Sequence, residues 1–181
     1  MDRKAFVKTT GIGLGVSLIP GIAPGKSETK EYPSTDTISE RDLWVLGHKI
    51  TLYKETSGNF DLAMGVTPPN VPGPPPHHHE TYSELFWVLE GNMEFTVAEK
   101  TVEVNPGDMV DIPKNTIHTF SNTGDKPCKW FNIHSPKGFS AFFETFGVKA
   151  TESDAVQKSL DEKIIAQVMQ QALEFDMIIV K

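Results

Sequence analysis

Cysteine is almost absent from this sequence, since the 181 residues include one, Cys128. A single cysteine excludes an intramolecular disulfide and any metal site built from paired cysteines. We predict that Cys128 is a small buried hydrophobic residue within a strand.

Basic residues are also scarce, with 17 lysines and arginines against 24 acidic residues and a formal net charge of −7. Proteins that bind nucleic acid need a basic surface, so we expect no nucleic-acid partner. The apolar run near the N-terminus, residues 11–19, is too short to span a bilayer, and no cysteine follows it that could carry a lipid. We therefore expect no stable membrane anchor.

The N-terminal segment has the order of an export signal. Basic residues precede a glycine-punctuated apolar run with the proportions of a secretory signal, and RKAFVK at 3–8 resembles a twin-arginine motif with one lysine substituted. We predict that residues 1–25 are an export signal and residues 26–42 a polar linker. The mature protein is then periplasmic or extracellular. The alternative is an N-terminal tail that is not cleaved.

Two histidine-containing stretches organise the rest of the chain. In HHHETYSELFWVLEG, His77 and His79 lie two residues apart, so on an extended strand their side chains share a face while His78 points away. Glu84 lies five residues beyond His79, so a bend through residues 80–83 must turn its side chain inward. GDMVDIPKNTIHTFSN, residues 107–122, contributes His118 from a separate strand.

Three imidazoles and one carboxylate suit one divalent transition metal (Fe, Mn, Ni, Co, Cu or Zn) and leave coordination positions open. We therefore predict a metal site made of His77, His79, Glu84 and His118. The alternative is a solvated histidine patch that binds metal adventitiously.

With these residues in place, the sequence resembles the cupin family over about residues 43–135. Two departures are visible: no glycine stands five residues before His77, and Asn115 replaces a usual glycine. Asparagine tolerates the left-handed backbone conformation that such a glycine supplies. The resemblance implies an all-β fold, the double-stranded β-helix or jelly-roll barrel, with a metal site. It is carried by His77, His79, Glu84, Gly91, Gly107, Pro113 and His118.

Short alternating segments separated by turn residues independently predict a barrel. The proline-rich stretch 68–76 cannot be a central strand, so it forms either the rim of the metal pocket or a simple crossover. The predicted strands are Leu43–Leu46, Lys49–Glu55, Phe60–Thr67, Glu84–Glu90, Met93–Ala98, Thr101–Val104, Ile117–Asn122 and Cys128–Ile133.

The strand from Glu84 to Glu90 is apolar on both faces. If Glu84 points inward, then Leu85, Trp87 and Leu89 form an outer face that helices, N-terminal strands or a second subunit must cover. We therefore predict a homodimer.

Residues 136–181 predict a C-terminal extension with two helices. Phenylalanines at 139, 142, 143 and 146 follow helical spacing, and Ser159-x-x-Glu162 has the pattern of a capping box that opens the second helix. Phe175–Val180 is predicted to be a terminal strand. This arrangement resembles bacterial cupins of the quercetin-2,3-dioxygenase-like group.

That resemblance implies a metal-dependent dioxygenase that acts with O2 on an enolisable or phenolic small molecule, a flavonol or diketone. Glu84 is the predicted catalytic base, and Phe86, Phe120 and Phe95 are candidate pocket walls. Two other classes stay open: a metal-dependent isomerase or lyase acting on a sugar or organic acid, and a non-catalytic metal-binding or ligand-binding cupin. We expect His134 to be solvated at a strand end, with a pocket-lining proton acceptor as the alternative.

Overall fold

The computed structural model describes residues 42–53, 56 and 58–180. The predicted export signal and all but the last residue of the predicted linker lie outside these residues. None of the described helices combines the length and the apolar character needed to cross a bilayer.

The described strands form two antiparallel sheets, which confirms the all-β jelly-roll prediction. The strands are β1 Asp42–Val45, β2 His48–Tyr53, β3 Asp61–Thr67, β4 His77–His78, β5 Ser83–Glu90, β6 Met93–Val97, β7 Lys100–Val104, β8 Met109–Ile112, β9 His118–Ser121, β10 Cys128–Ser135, β11 Val148–Lys149 and β12 Ile178–Ile179. The first sheet has the order β11-β1-β2-β3-β10-β5-β8 and the second has the order β12-β4-β9-β6-β7.

Strict alternation on the central strands separates the interior from the outer face. On β5, Glu84, Phe86 and Val88 are buried while the residues between them are not, as predicted. Cys128 opens the equivalent inward row of β10, and burial raises the pKa of its thiol to about 11. The cysteine is therefore the unreactive core residue that the sequence predicts.

The C-terminal extension contains both predicted helices, α1 Ser140–Phe146 and α3 Glu162–Gln171. A five-residue helix, α2 Ala155–Ser159, lies between them, and a 3-10 helix, Ala172–Phe175, follows α3.

The predicted capping box is wrong. The residue that caps α3 is Asp161, whose carboxylate accepts the backbone N–H of Lys163 at 2.8 Å. Ser159 instead ends α2, where its hydroxyl donates to the carbonyl of Val156 and accepts the N–H of Gly47 on the barrel. Aspartate caps helices as well as serine does, and here it stands directly before the helix.

The outer face of the first sheet carries an exposed apolar row. Trp87 on β5 and Met109 on β8 are register partners, and their exposed fractions are 44% and 63%. Phe131 on β10 lies opposite Trp87 on its other side and is only half-buried. The predicted second subunit at this face stays a prediction.

Light scattering at micromolar concentration tests that prediction. We expect wild-type protein to have a mass above the 20.1 kDa of one chain, and Trp87→Glu to have the mass of a monomer, because a charge cannot be buried unpaired in an apolar interface. Leu173→Glu, at an exposed site on the C-terminal extension, is the control that should assemble normally. A monomeric wild-type protein would overturn the prediction.

Candidate metal centre

The four predicted ligands converge in the interior of the barrel. His77, His79, Glu84 and His118 are all buried, and one potential ligand atom from each lies within 4.8 Å of the others. The pairing of β4 with β9 places His77 directly across from His118, with ring centroids 4.2 Å apart. Strand register therefore brings together residues that are 41 positions apart in sequence. His78 points away from the cluster and is only half-buried, as predicted.

The three ligand histidines, His77, His79 and His118, are held in the same tautomer. A carbonyl oxygen can only accept a hydrogen bond, so each Nδ1 that contacts one must carry the ring proton, which leaves a lone pair on Nε2. The acceptors are the carbonyl of Pro75 for His77 at 2.9 Å, that of Asp176 for His79 at 2.6 Å and that of Thr116 for His118 at 2.9 Å.

With the three ligand histidines neutral, the atoms that face the middle of the cluster have no hydrogen-bond partner. His79 Nε2, Glu84 Oε2 and His118 Nε2 are buried and unsatisfied. Glu84 Oε2 lies 2.7 Å from His118 Nε2 and 3.8 Å from His79 Nε2, so lone pairs face one another at short range. Such an arrangement needs a cation or a proton among these atoms. Three imidazole nitrogens and one carboxylate oxygen are a donor set that fits a divalent transition metal.

Burial and mutual charges set the protonation states of the cluster. Burial lowers the pKa of His77 to about 3 and also lowers the pKa of His79. Burial alone would raise the pKa of Glu84, but His134 and His118 outweigh it and hold that pKa well below its usual range. At neutral pH His77 and His79 are neutral and the Glu84 carboxylate is ionised, which are the states that bind a cation.

His118 is the exception among the histidines. Burial lowers its pKa, but the hydrogen bond to Glu84 and the attraction of that carboxylate more than compensate, so the net shift is upward. A proton on His118 Nε2 would satisfy Glu84 in the absence of a cation, and a metal ion would compete with that proton.

The prediction that His134 is solvated is wrong. Its side chain is 2% exposed, its Nε2 contacts Glu84 Oε1, and its ring stacks on Phe139 at a centroid distance of 4.0 Å. Asn132 Nδ2 donates to the same carboxylate oxygen at 3.3 Å. Glu84 thus presents Oε2 to the cluster while Oε1 is held by two residues of β10. Alternation along β10 from Cys128 makes both residues inward-facing, so parity was the signal that could have identified them.

His48 is, with His134, a buried histidine outside the predicted ligand set, and no sequence pattern pointed to it. It starts β2, its Nδ1 lies 3.1 Å from the hydroxyl oxygen of Thr67, and burial lowers its pKa to about 4. It lines the cavity beside the metal cluster. His48 therefore adds a neutral polar group to the cavity wall, outside the predicted ligand set.

A cavity of about 60 Å³ opens beside the cluster. Pro74 lines it, so the proline-rich loop does reach the site, and the carbonyl of Pro75 orients His77. Phe95 does not line the cavity; it is fully buried and packs against two residues that do, Phe86 and Phe120. The aromatic residues of the cavity wall are Phe86, Phe120, Trp130, Phe139, Phe142 and Phe143.

Comparisons with known proteins match the part of the chain that contains the four predicted ligands. A family model described as a cupin domain matches residues 64–134. Quercetin 2,3-dioxygenase of Bacillus subtilis is 30% identical over 98 residues, which are 54% of this chain and 28% of that protein. A protein of Methanocaldococcus jannaschii is 38% identical over 53 residues, which are 29% of this chain and 42% of that protein. This chain thus spans less than half the length of each of these relatives.

Solved structures show similarity over a comparable part of the chain. A sugar phosphate isomerase from Silicibacter pomeroyi, described as a cupin, covers 56% of this chain with 73% of its own, at 20% identity and a TM-score of 0.49. KdgF from Halomonas covers 52% with 85% of its own, at 19% identity and a TM-score of 0.47. The domain match, together with the jelly-roll barrel described above, identifies residues 64–134 as a cupin domain.

Proposed function

We propose that this cupin is a metal-dependent dioxygenase for a small enolisable molecule. The observation that carries the proposal is the position of the cluster: Glu84 and His118, which have unsatisfied atoms, line a cavity whose remaining wall is mainly apolar and aromatic. A divalent ion bound there would supply a Lewis acid for an oxygen anion of the substrate. The similarity to quercetin 2,3-dioxygenase over 98 residues supports the same class.

The residues around Glu84 are arranged for proton transfer. Its Oε2 faces the cluster, while its Oε1 touches His134 Nε2 and accepts from Asn132. A carboxylate that turns from the cluster toward the cavity can take a proton from an enol or an activated carbon, and three histidines remain to hold the ion. The largely aromatic wall reduces the contact of the resulting organic anion with water.

The size of the cavity favours a diketone over a flavonol. One water molecule needs about 10–15 Å³ of cavity volume. A cavity of about 60 Å³ therefore has room for a molecule about as large as four to six waters. A three-ring flavonol greatly exceeds that size unless α1 moves, whereas a five-carbon diketone is close to it.

The same wall argues against the isomerase or lyase alternative. No lysine or arginine is among the described residues that line the cavity, so a carboxylate or phosphate on a sugar or organic acid would have no cationic partner apart from the ion itself. An apolar diketone needs no such partner.

Oxygen uptake by the metal-loaded protein tests the proposal. With pentane-2,4-dione we expect one O2 consumed per substrate, with both oxygen atoms entering the products as a carbon–carbon bond breaks to give acetic acid and 2-oxopropanal. Labelling with ¹⁸O2 identifies the source of the new oxygens. Turnover of a sugar or organic acid at the same rate without O2 would favour the isomerase or lyase class. Tight binding of the diketone with no product would favour a non-catalytic cupin.

A further inference from the structure

Asp176 is far from the predicted metal ligands in sequence, but it contacts the ligand His79 and the two residues that follow it. Its backbone carbonyl accepts the Nδ1–H of His79 at 2.6 Å. Its carboxylate accepts the backbone N–H of Glu80 at 3.1 Å through Oδ1 and that of Thr81 at 2.7 Å through Oδ2. One residue therefore fixes both a ligand ring and the chain that leaves it.

The contacted chain is the bend that makes the ligand spacing work. Alternation along a continuous strand would turn Glu84 away from the face of His77 and His79, because its offset from His79 is odd. The segment 80–82 is not strand, and β5 begins only at Ser83. The hydrogen bonds from the N–H groups of Glu80 and Thr81 to Asp176 fix the backbone of the bend, and this bend directs Glu84 back to the cluster.

The C-terminal segment is built to hold Asp176 in this place. The residue has a left-handed backbone, with φ 57° and ψ 25°, at the end of the 3-10 helix Ala172–Phe175. On its other side, β12 pairs with β4, with Ile179 opposite His77 and Ile178 opposite His78. The side chain of Met177, 2% exposed, lines the cavity.

We propose that Asp176 is a positioning residue of the metal centre, and that residues 172–179 complete a site whose family match ends at residue 134. This proposal rests on the metal centre and not on the dioxygenase reaction. Asp176 acts through His79, which it orients, and through the bend, which sets the distance from His79 to Glu84. Loss of such an outer-shell contact commonly weakens metal binding by about 10-fold to 100-fold.

Metal affinity of Asp176→Ala, measured for Co²⁺ and Zn²⁺ by competition with a chelator, tests the proposal. We expect the Kd to rise by about 10-fold to 100-fold. Asp176→Asn keeps one acceptor oxygen and tolerates the left-handed backbone, so its Kd should lie between those of Asp176→Ala and the wild type.

Asp154→Ala is the matched control. Asp154 has the same left-handed φ of 57°, but it is exposed before α2 and its side chain makes no capping hydrogen bond. This variant carries the same backbone strain without a contact to the metal centre. We expect its Kd to equal that of the wild type.

Two measurements on metal-free protein separate positioning from general damage to the fold. We expect Asp176→Ala to speed amide exchange at Glu80 and Thr81, whose N–H groups lose the carboxylate, while exchange on β10 is unchanged. The backbone carbonyl that accepts from His79 remains in this variant, so the ¹⁵N shifts of His79 should stay those of one tautomer. Wild-type affinity in Asp176→Ala, or an equal loss in Asp154→Ala, would overturn the proposal. If the wild-type protein itself binds neither ion, the metal centre fails and this proposal fails with it. If metal binds as expected but the diketone is not oxidised, only the reaction is wrong.

Discussion

Glu84→Gln is expected to lower turnover by about two to four orders of magnitude at saturating metal, the range typical of a lost general base. Glutamine keeps the volume and one weak oxygen ligand, so metal content should fall only in part. The amide cannot take a proton at Oε1, the oxygen that now contacts His134 and Asn132. The measurement is kcat for the diketone, with metal content determined on the same sample so that occupancy cannot explain the loss.

Glu94→Gln provides the control for this change, because Glu94 is exposed on β6 outside the cavity wall. It should turn over at the wild-type rate. If Glu84→Gln also turns over at that rate, the base lies elsewhere. His134 is then the next candidate, since it is the buried histidine in contact with Glu84 that is not itself a predicted ligand.

His118→Ala is expected to lose metal and activity together. His118 Nε2 is one of the unsatisfied atoms at the centre of the cluster, and alanine leaves two imidazoles and a carboxylate beside a void. Elemental analysis of the purified variant should give a stoichiometry far below one ion per chain.

His78→Ala is the matched control for His118→Ala. His78 belongs to the same run of three histidines but points away from the cluster. If the histidine run bound metal adventitiously, His78→Ala would lose metal and His118→Ala would keep it. The buried site predicts the opposite result for both variants. Wild-type stoichiometry in His118→Ala would refute the ligand assignment.

The elements that the sequence predicted well are those with a local pattern. A short apolar run identified β5, a preceding turn identified the start of β10, and helical spacing identified α1. Asn115 does adopt the left-handed conformation predicted for it, with φ 62°. The two-residue strand β11 and the four-residue strand β8 were not predicted. Two residues are too few to show a period, β8 is mostly exposed, and both strands lie at the edge of the first sheet.

The candidate site divides in the same way. His77, His79, Glu84 and His118 could be found because their spacing along two short stretches carries the geometry. The contact from Asp176 to His79 joins residues 97 positions apart, and no local pattern encodes such a distance. His134 lies between these cases. The predicted strand ended at Ile133, although alternation from Cys128 makes residue 134 inward-facing on the longer strand β10.

The most direct test of the central claim, one divalent ion held by three histidines and one glutamate, is titration of metal-free protein with Co²⁺ followed by X-ray absorption. We expect saturation at one equivalent per chain, with a first shell of three imidazole nitrogens and a carboxylate oxygen at about 2.0–2.2 Å, the range for nitrogen and oxygen ligands to such ions. Absence of saturable binding, or a first shell with fewer than three imidazoles, would contradict the account.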